Sequence, residues 1–244
     1  MSNDTQQPLS ATAKETFLLA GTATICTALY KRGLRNVFIQ GVSRLNNKPV
    51  RMVGPAYTLR YIPAREDLDG IEVFKDPKHP QRLGVESVPE GSVFVMDCRE
   101  DATTASAGNI LATRLQVRGC AGIVSDGGLR DAESMAELDM PVFCAKPSAP
   151  TNLTKHHGLD LNVPIGCGKV PVYPGDIMVG DGDGVVVVPA EMAEEIALEV
   201  AEMEVFEAFV LERVQQGETI IGLYPATKDE TLELFNAWRR ENNK

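Results

Sequence analysis

The sequence predicts an α/β domain built on a mixed sheet, followed by a helical C-terminal extension. Short apolar segments alternate with helical patterns as far as residue 150, as in strand–helix–strand units. Between 161 and 188 the apolar segments instead cluster around tight turns, as hairpins do. After Pro189 two amphipathic stretches close the chain. The 244 residues suffice for one large core, so residues 1–189 are assigned to the α/β domain. Residues 190–244 form a helical extension packed on the same or a neighbouring subunit.

Composition narrows the function classes. At 43% hydrophobic and 24% charged the chain is an ordinary globule, and no apolar run approaches the ~20 residues of a membrane span. The polar start, Met1 to Pro8, is unlike a secretory or transit peptide, so the expected location is cytoplasmic with no membrane partner. A formal net charge of -10 repels a phosphate backbone, which argues against direct nucleic-acid binding. Cys26, Cys98, Cys120, Cys144 and Cys167 are scattered without a C-x-x-C pair and read as reduced core thiols.

Residues 1–9 read as a disordered or loosely docked arm. Ser10 to Arg32 has helical periodicity, with Gly33 as its stop. Val37–Ile39 is a short strand and Val50–Ile62 a longer one. Residues 63–90, rich in charge and proline, are expected to be an irregular loop that packs on a neighbour or lids a site. Ser92–Asp97 is a buried strand. The next helix has Ser106 as its cap and Ile110, Leu111, Leu115 and Val117 as its apolar stripe, and it stops at Gly119. Ala121–Val124 is a strand, after which Asp126-Gly127-Gly128 is expected to turn sharply. That turn would bring Arg130-Asp131 back beside Gly108. Met140–Cys144 is another strand, 161–172 belong to a separate layer, and Ile177–Val179 pairs with Val185–Val188. Helices over Ala190–Gln215 and 228–241 follow.

The chemistry centres on two short segments. A helix start at Gly108 offers unpaired N–H groups and partial positive charge to an anion, and glycine permits close approach. Arg130 has a planar fork suited to a carboxylate, and Asp131 suits a hard cation such as Mg²⁺. An ordinary helix entry and a surface Arg–Asp pair are the plainer alternatives. Gly180-Asp181-Gly182-Asp183-Gly184 lacks the calcium-loop pattern ending in Glu and reads as a structural turn. Adjacent His156 and His157 cannot both face one metal from a strand, so zinc is not expected. Lys146 is the best Schiff-base candidate but reads as solvated beside Pro147. No nucleophile elbow, phosphate loop or dinucleotide fingerprint is present.

Through Gly108–Leu111 with Arg130-Asp131, the sequence resembles the RraA-like family of 4-hydroxy-4-methyl-2-oxoglutarate aldolases and regulators of ribonuclease E activity. Thr24–Leu29, Gly54-Pro55-Ala56-Tyr57-Thr58, Asp126–Asp131, Pro174-Gly175-Asp176 and Asp183–Pro189 extend the likeness over most of residues 20–190. The resemblance implies a β/β/α swivelling-type domain assembled as a homotrimer or hexamer, with sites between subunits. It implies a small 2-oxo acid held by Gly108, Asn109, Ile110, Leu111 and Arg130. It further implies Mg²⁺ or Mn²⁺ on Asp131, with Arg130 and Asp131 as the catalytic pair of a metal-dependent pyruvate aldolase or oxaloacetate decarboxylase. The alternative is a non-catalytic regulator docked on a ribonuclease. Two positions depart from the pattern. Asn109 stands where aldolases of this group carry an acid, and Ser134, after Glu133, stands where many members have one.

Overall fold

The structure, a computed structural model, describes residues 9–242. The expected N-terminal arm lies outside these apart from Leu9, which packs against the core. Helices α1 (Ala11–Leu19) and α2 (Thr22–Lys31) replace the single helix expected over 10–32. The interruption has a physical cause in distant carboxylates. Ala20 and Gly21 are extended, Glu204 accepts the Gly21 N–H at 2.9 Å, and Asp181 accepts both the N–H and hydroxyl of Thr22 at 2.9 Å. Ser10 caps α1 by accepting the Ala13 N–H, and its own N–H reaches Glu194 at 2.7 Å.

The Val37–Ile39 segment is only a bridge at Phe38 to Val186. Two-residue β1 (Ser43–Arg44) precedes β2 (Met52–Pro63), the longest strand, near the middle of the sheet. Residues 63–90 are more ordered than expected. A 3₁₀ turn at Ile71–Lys75 leads to α3 (Pro80–Ser87), whose proline occupies the first turn, where a missing N–H costs nothing.

Strand β3 (Val93–Asp97) and short β4 (Ala105–Ala107) come next, then α4 (Asn109–Val117) and β5 (Gly122–Leu129). Helix α5 (Ala132–Ala136) and β6 (Val142–Pro147) complete the parallel core, in which β2, β3, β5 and β6 run side by side. Val93–Met96 and Ile123–Val124 are wholly buried, as strands covered on both faces require. Strand β7 (His156–Leu161) pairs with the far half of β2. A separate ribbon of β8 (Ile165–Cys167) and β9 (Val170–Val172) supplies the second layer.

The hairpin is as expected: β10 (Ile177–Gly180) pairs with β11 (Val185–Val188), and Asp181 in its turn accepts the Asp183 N–H. Helix α6 (Ala193–Gln215) lays Ala193, Ile196, Ala197 and Val200 on Phe17, Ile25 and Leu29 of this same chain. Helix α7 (Asp229–Glu241) packs Phe235 and Trp238 against Phe209 with their rings tilted to it. The result is a mixed α/β fold with C-terminal helices. Among the described residues no helix is long and apolar enough to cross a membrane.

Candidate functional site

Two corrections concern the central unit. Ser106 does not cap α4. It lies in β4, fully buried, with its hydroxyl on Ser125 Oγ (2.8 Å) and the Gly128 carbonyl (3.1 Å), and Gly108 occupies the cap. The α4 stripe is also narrower than expected. Ala112 and Leu115 are buried, whereas Ile110 and Val117 are 82% and 71% exposed.

The second correction is that Asp126-Gly127-Gly128 does not turn. Strand β5 continues to Leu129, with a bulge against β6 between Ser125 and Gly128. Its glycines answer crowding: a Cβ on Gly127 would lie 2.6 Å from the Cys98 Cβ, and one on Gly128 would lie 2.6 Å from both the Thr104 carbonyl and the Ser148 Cβ. Asp126, also buried, accepts N–H groups from Cys98, Glu100 and Gly168. Because the strand carries through, it delivers Arg130 and Asp131 at its C-terminal end, next to the parallel β4 that opens into α4.

There the pieces meet. The Arg130 N–H donates to the Ala107 carbonyl at 3.0 Å, tying the end of β5 to the entry of α4. Asp131 adopts left-handed backbone angles (φ 59°, ψ 39°), an uncommon conformation for a non-glycine residue. Its Oδ2 accepts the Asn109 N–H at 3.0 Å. A Cβ on Gly108 would sit 2.6 Å from that Oδ2 and 2.9 Å from Arg130 Cγ and Nε. Gly108 is extended (φ -133°), so proximity, not backbone conformation, requires glycine. The N–H groups of Ile110 and Leu111 remain as first-turn donors without a partner among the described residues.

A cavity beside this junction is lined by Gly108, Ile110, Leu111, Arg130 and Asp131. A second hollow on the other flank of Arg130 and Asp131 is bounded by Leu129, Pro147 and Ser148. Asn109 joins through its backbone only, since its side chain accepts from Thr113 Oγ1 at 3.3 Å and does not line either hollow. Sequence reasoning missed the opposite wall: Phe74, Gln81, Arg82 and Asn152. The Pro80 start signal offered a way to find α3, and with it Gln81 and Arg82. Burial pulls the Arg82 guanidinium below its ordinary range, the Tyr61 phenol opposes this, and the charge of Arg130 adds to it.

Of the residues lining either hollow, Asp131 alone carries a carboxylate, and its Oδ1 accepts no hydrogen bond within the described chain. Among the described residues no group of three or more His, Cys, Asp or Glu side chains is placed to hold a metal. That donor set is unsuited to a closed zinc site. It fits a hard cation bound through one carboxylate and keeping most of its waters, such as Mg²⁺ or Mn²⁺. Lys146 is exposed, outside any desolvated pocket. His156 is buried beside Arg99, while His157 pairs with Asp69, so the two diverge as adjacent strand residues must.

Comparison with known proteins identifies the family. The profile of the RraA-like family, described as Aldolase/RraA, matches residues 22–187. A protein of Halalkalibacterium halodurans, provisionally named a 4-hydroxy-4-methyl-2-oxoglutarate aldolase, is 33% identical over 173 residues, covering 71% of this chain and 75% of its own. One of the same provisional name from Ectopseudomonas mendocina is 36% identical over 104 residues, 43% of this chain and 64% of that one. Among solved structures, Streptomyces coelicolor RraAS2, described as an unusual member of the RNase ES inhibitor RraA family, superposes with a TM-score of 0.74. It is 30% identical and covers 83% of this chain and 97% of its own. An uncharacterised Pseudomonas syringae protein shares the fold, with a TM-score of 0.76 at 24% identity over 89% of this chain and 99% of that one.

Proposed function

The chain belongs to the RraA-like family, and from that premise we propose that it is a divalent-metal-dependent carbon–carbon lyase that releases pyruvate from a 2-oxo acid. The reaction is retro-aldol cleavage of a 4-hydroxy-2-oxo acid such as 4-hydroxy-4-methyl-2-oxoglutarate, decarboxylation of oxaloacetate, or both, since each passes through the pyruvate enolate. The single observation that supports it is the packing of Arg130 and Asp131 against Gly108 at the mouth of α4.

In this reading the Ile110 and Leu111 amides and the Arg130 guanidinium bind the substrate carboxylate and fix its orientation. Arg130 also stabilises the charge that develops as the carbon–carbon bond breaks, a preorganised interaction that strengthens toward the transition state. Asp131 would hold the cation through Oδ1, and Oδ2 remains on the Asn109 amide. A bound Mg²⁺ or Mn²⁺ supplies Lewis-acid stabilisation of the negative 2-oxo oxygen. Asn109 is neutral and moves no proton, so proton transfer falls to solvent.

The test follows pyruvate release from oxaloacetate and from 4-hydroxy-4-methyl-2-oxoglutarate with Mg²⁺. Release above the metal-only background that is lost in Asp131→Ala supports the reading. Release at background, or unchanged by that substitution, defeats it. Asn109 favours a second reading, a non-catalytic docking protein of a ribonuclease, in which the acidic surface meets basic segments of the partner. A stoichiometric protein complex unaffected by Asp131→Ala, without lyase activity, would establish that alternative.

A further inference from the structure

The wall opposite Arg130 carries a second guanidinium with no counter-charge. Arg32, Arg51, Arg60, Arg65, Arg114 and Arg213 all meet carboxylates. Arg82 and Arg130 have neither an ion pair nor a side-chain hydrogen bond within the described residues. Arg82 lies 4.4 Å over the Phe74 ring, close enough to Arg130 to feel its charge. Asp131 is the one carboxylate among the described residues lining this cavity, so two guanidiniums share a single protein anion there and an anionic ligand balances the second.

The neutral lining points the same way. Gln81 and Asn152 are each only 3% exposed and flank the Tyr61 phenol, yet Gln81 Oε1 and Asn152 Nδ2 make no well-formed hydrogen bond among the described residues. The remaining Gln81 amide nitrogen is spent on the Ser106 carbonyl, which the Tyr61 hydroxyl also reaches, at 3.4 Å. An unsatisfied buried donor and acceptor beside the two guanidiniums is the lining expected of a site built for a polar ligand. The cavity, about 100 Å³, suits a compact acid.

We infer that Arg82 is a specificity-determining residue: it binds a second carboxylate at the far end of the substrate, so the site selects 2-oxo diacids over 2-oxo monoacids. This rests on the lyase reading, in which Arg130 and the α4 amides take the first carboxylate. Arg82 makes no contact with the bond that breaks. Its guanidinium rests over the Phe74 ring and its backbone is fixed on α3, so the spacing between the two guanidiniums sets the preferred length of the diacid.

The test is calorimetric titration with Mg²⁺ present, using pyruvate and the stable diacid 2-oxoglutarate. The wild type should bind the diacid at least tenfold more tightly. Arg82→Gln should lower that ratio at least tenfold, and Arg82→Lys should lower it less, because charge survives without the fork. Arg130→Gln should weaken both ligands. An Arg82→Gln protein that loses both acids equally, or keeps the wild-type ratio, overturns the assignment, and Arg82→Lys repeats the measurement with the helix least disturbed. If the wild type binds neither acid, the lyase reading falls and this inference with it. If it binds both equally, only the role of Arg82 falls.

Discussion

Asp131 Oδ2 accepts the backbone N–H of Asn109 at 3.0 Å, across 22 positions of sequence. One carboxylate oxygen therefore fixes the mouth of α4, and the other accepts no hydrogen bond among the described residues. Replacing Asp131 by Asn keeps the shape and removes the charge. Lyase activity should fall at least a hundredfold, with the thermal midpoint lowered by only a few degrees. Steady-state kinetics with a parallel melt would check this. Activity within tenfold of wild type would remove Asp131 from the reaction.

Gly108→Ala tests contact distance directly. The backbone there accepts any residue, so the chain should fold, but the new methyl must displace Asp131 and Arg130. A displacement approaching 1 Å costs roughly a hundredfold in turnover by the general sensitivity of catalytic geometry. Normal kcat/KM in a folded Gly108→Ala protein would show that the junction tolerates looseness.

Dialysis against a chelator should abolish pyruvate release, and Mg²⁺ or Mn²⁺ should restore it in wild type. Asp131→Ala should not recover at matched metal concentrations. With a single protein carboxylate as ligand, affinity should be modest and readily reversed. Turnover that persists after exhaustive chelation would exclude a metal role.

Gly128→Ala should destabilise the fold by roughly 1–3 kcal/mol, the usual cost of overpacking, because the Thr104 carbonyl at 2.6 Å is backbone and cannot rotate away. Urea denaturation measures it. A neutral result would mean that β5 shifts freely at its C-terminal end.

Burial outweighs three amide donors at Asp126 and raises its carboxyl to about 6, against about 3.9 in an unfolded chain. The folded state therefore takes up this proton first. The associated stabilisation is complete below about pH 4 and is lost as pH rises through 6. Relative to Asp126→Asn, wild-type stability should increase on acidification from pH 7 to pH 4, by on the order of 3 kcal/mol. Carboxylates held low by arginines, such as Glu86 and Glu199, act in the opposite sense but cancel in this comparison. A constant difference across the titration would refute the shift.

The elements legible in the sequence were those whose pattern is local. The runs at 93–97, 177–180 and 185–188 announce buried strands through continuous apolar residues, and Pro189 announces α6. The errors came from long-range causes. Nothing near Gly21 says that Glu204 and Asp181 will divide the first helix. Gly127 and Gly128 look like turn residues because a sequence cannot display the Cys98 and Thr104 atoms that crowd them. Arg130 and Asp131 were readable as a motif, but Arg82 was not: its meaning lies in what faces it across a cavity.

The helix terminators described above have a consequence for synthesis. Ser10, Gly21 and Thr22 depend on Glu194, Glu204 and Asp181, which lie 184, 183 and 159 positions downstream. At ordinary translation speeds the ribosome needs roughly ten to forty seconds to traverse that interval. During it the apolar faces of α1 and α2 have left the tunnel with no partner from α6. The amino-terminal layer is thus made early and completed late, with its apolar faces uncovered in between.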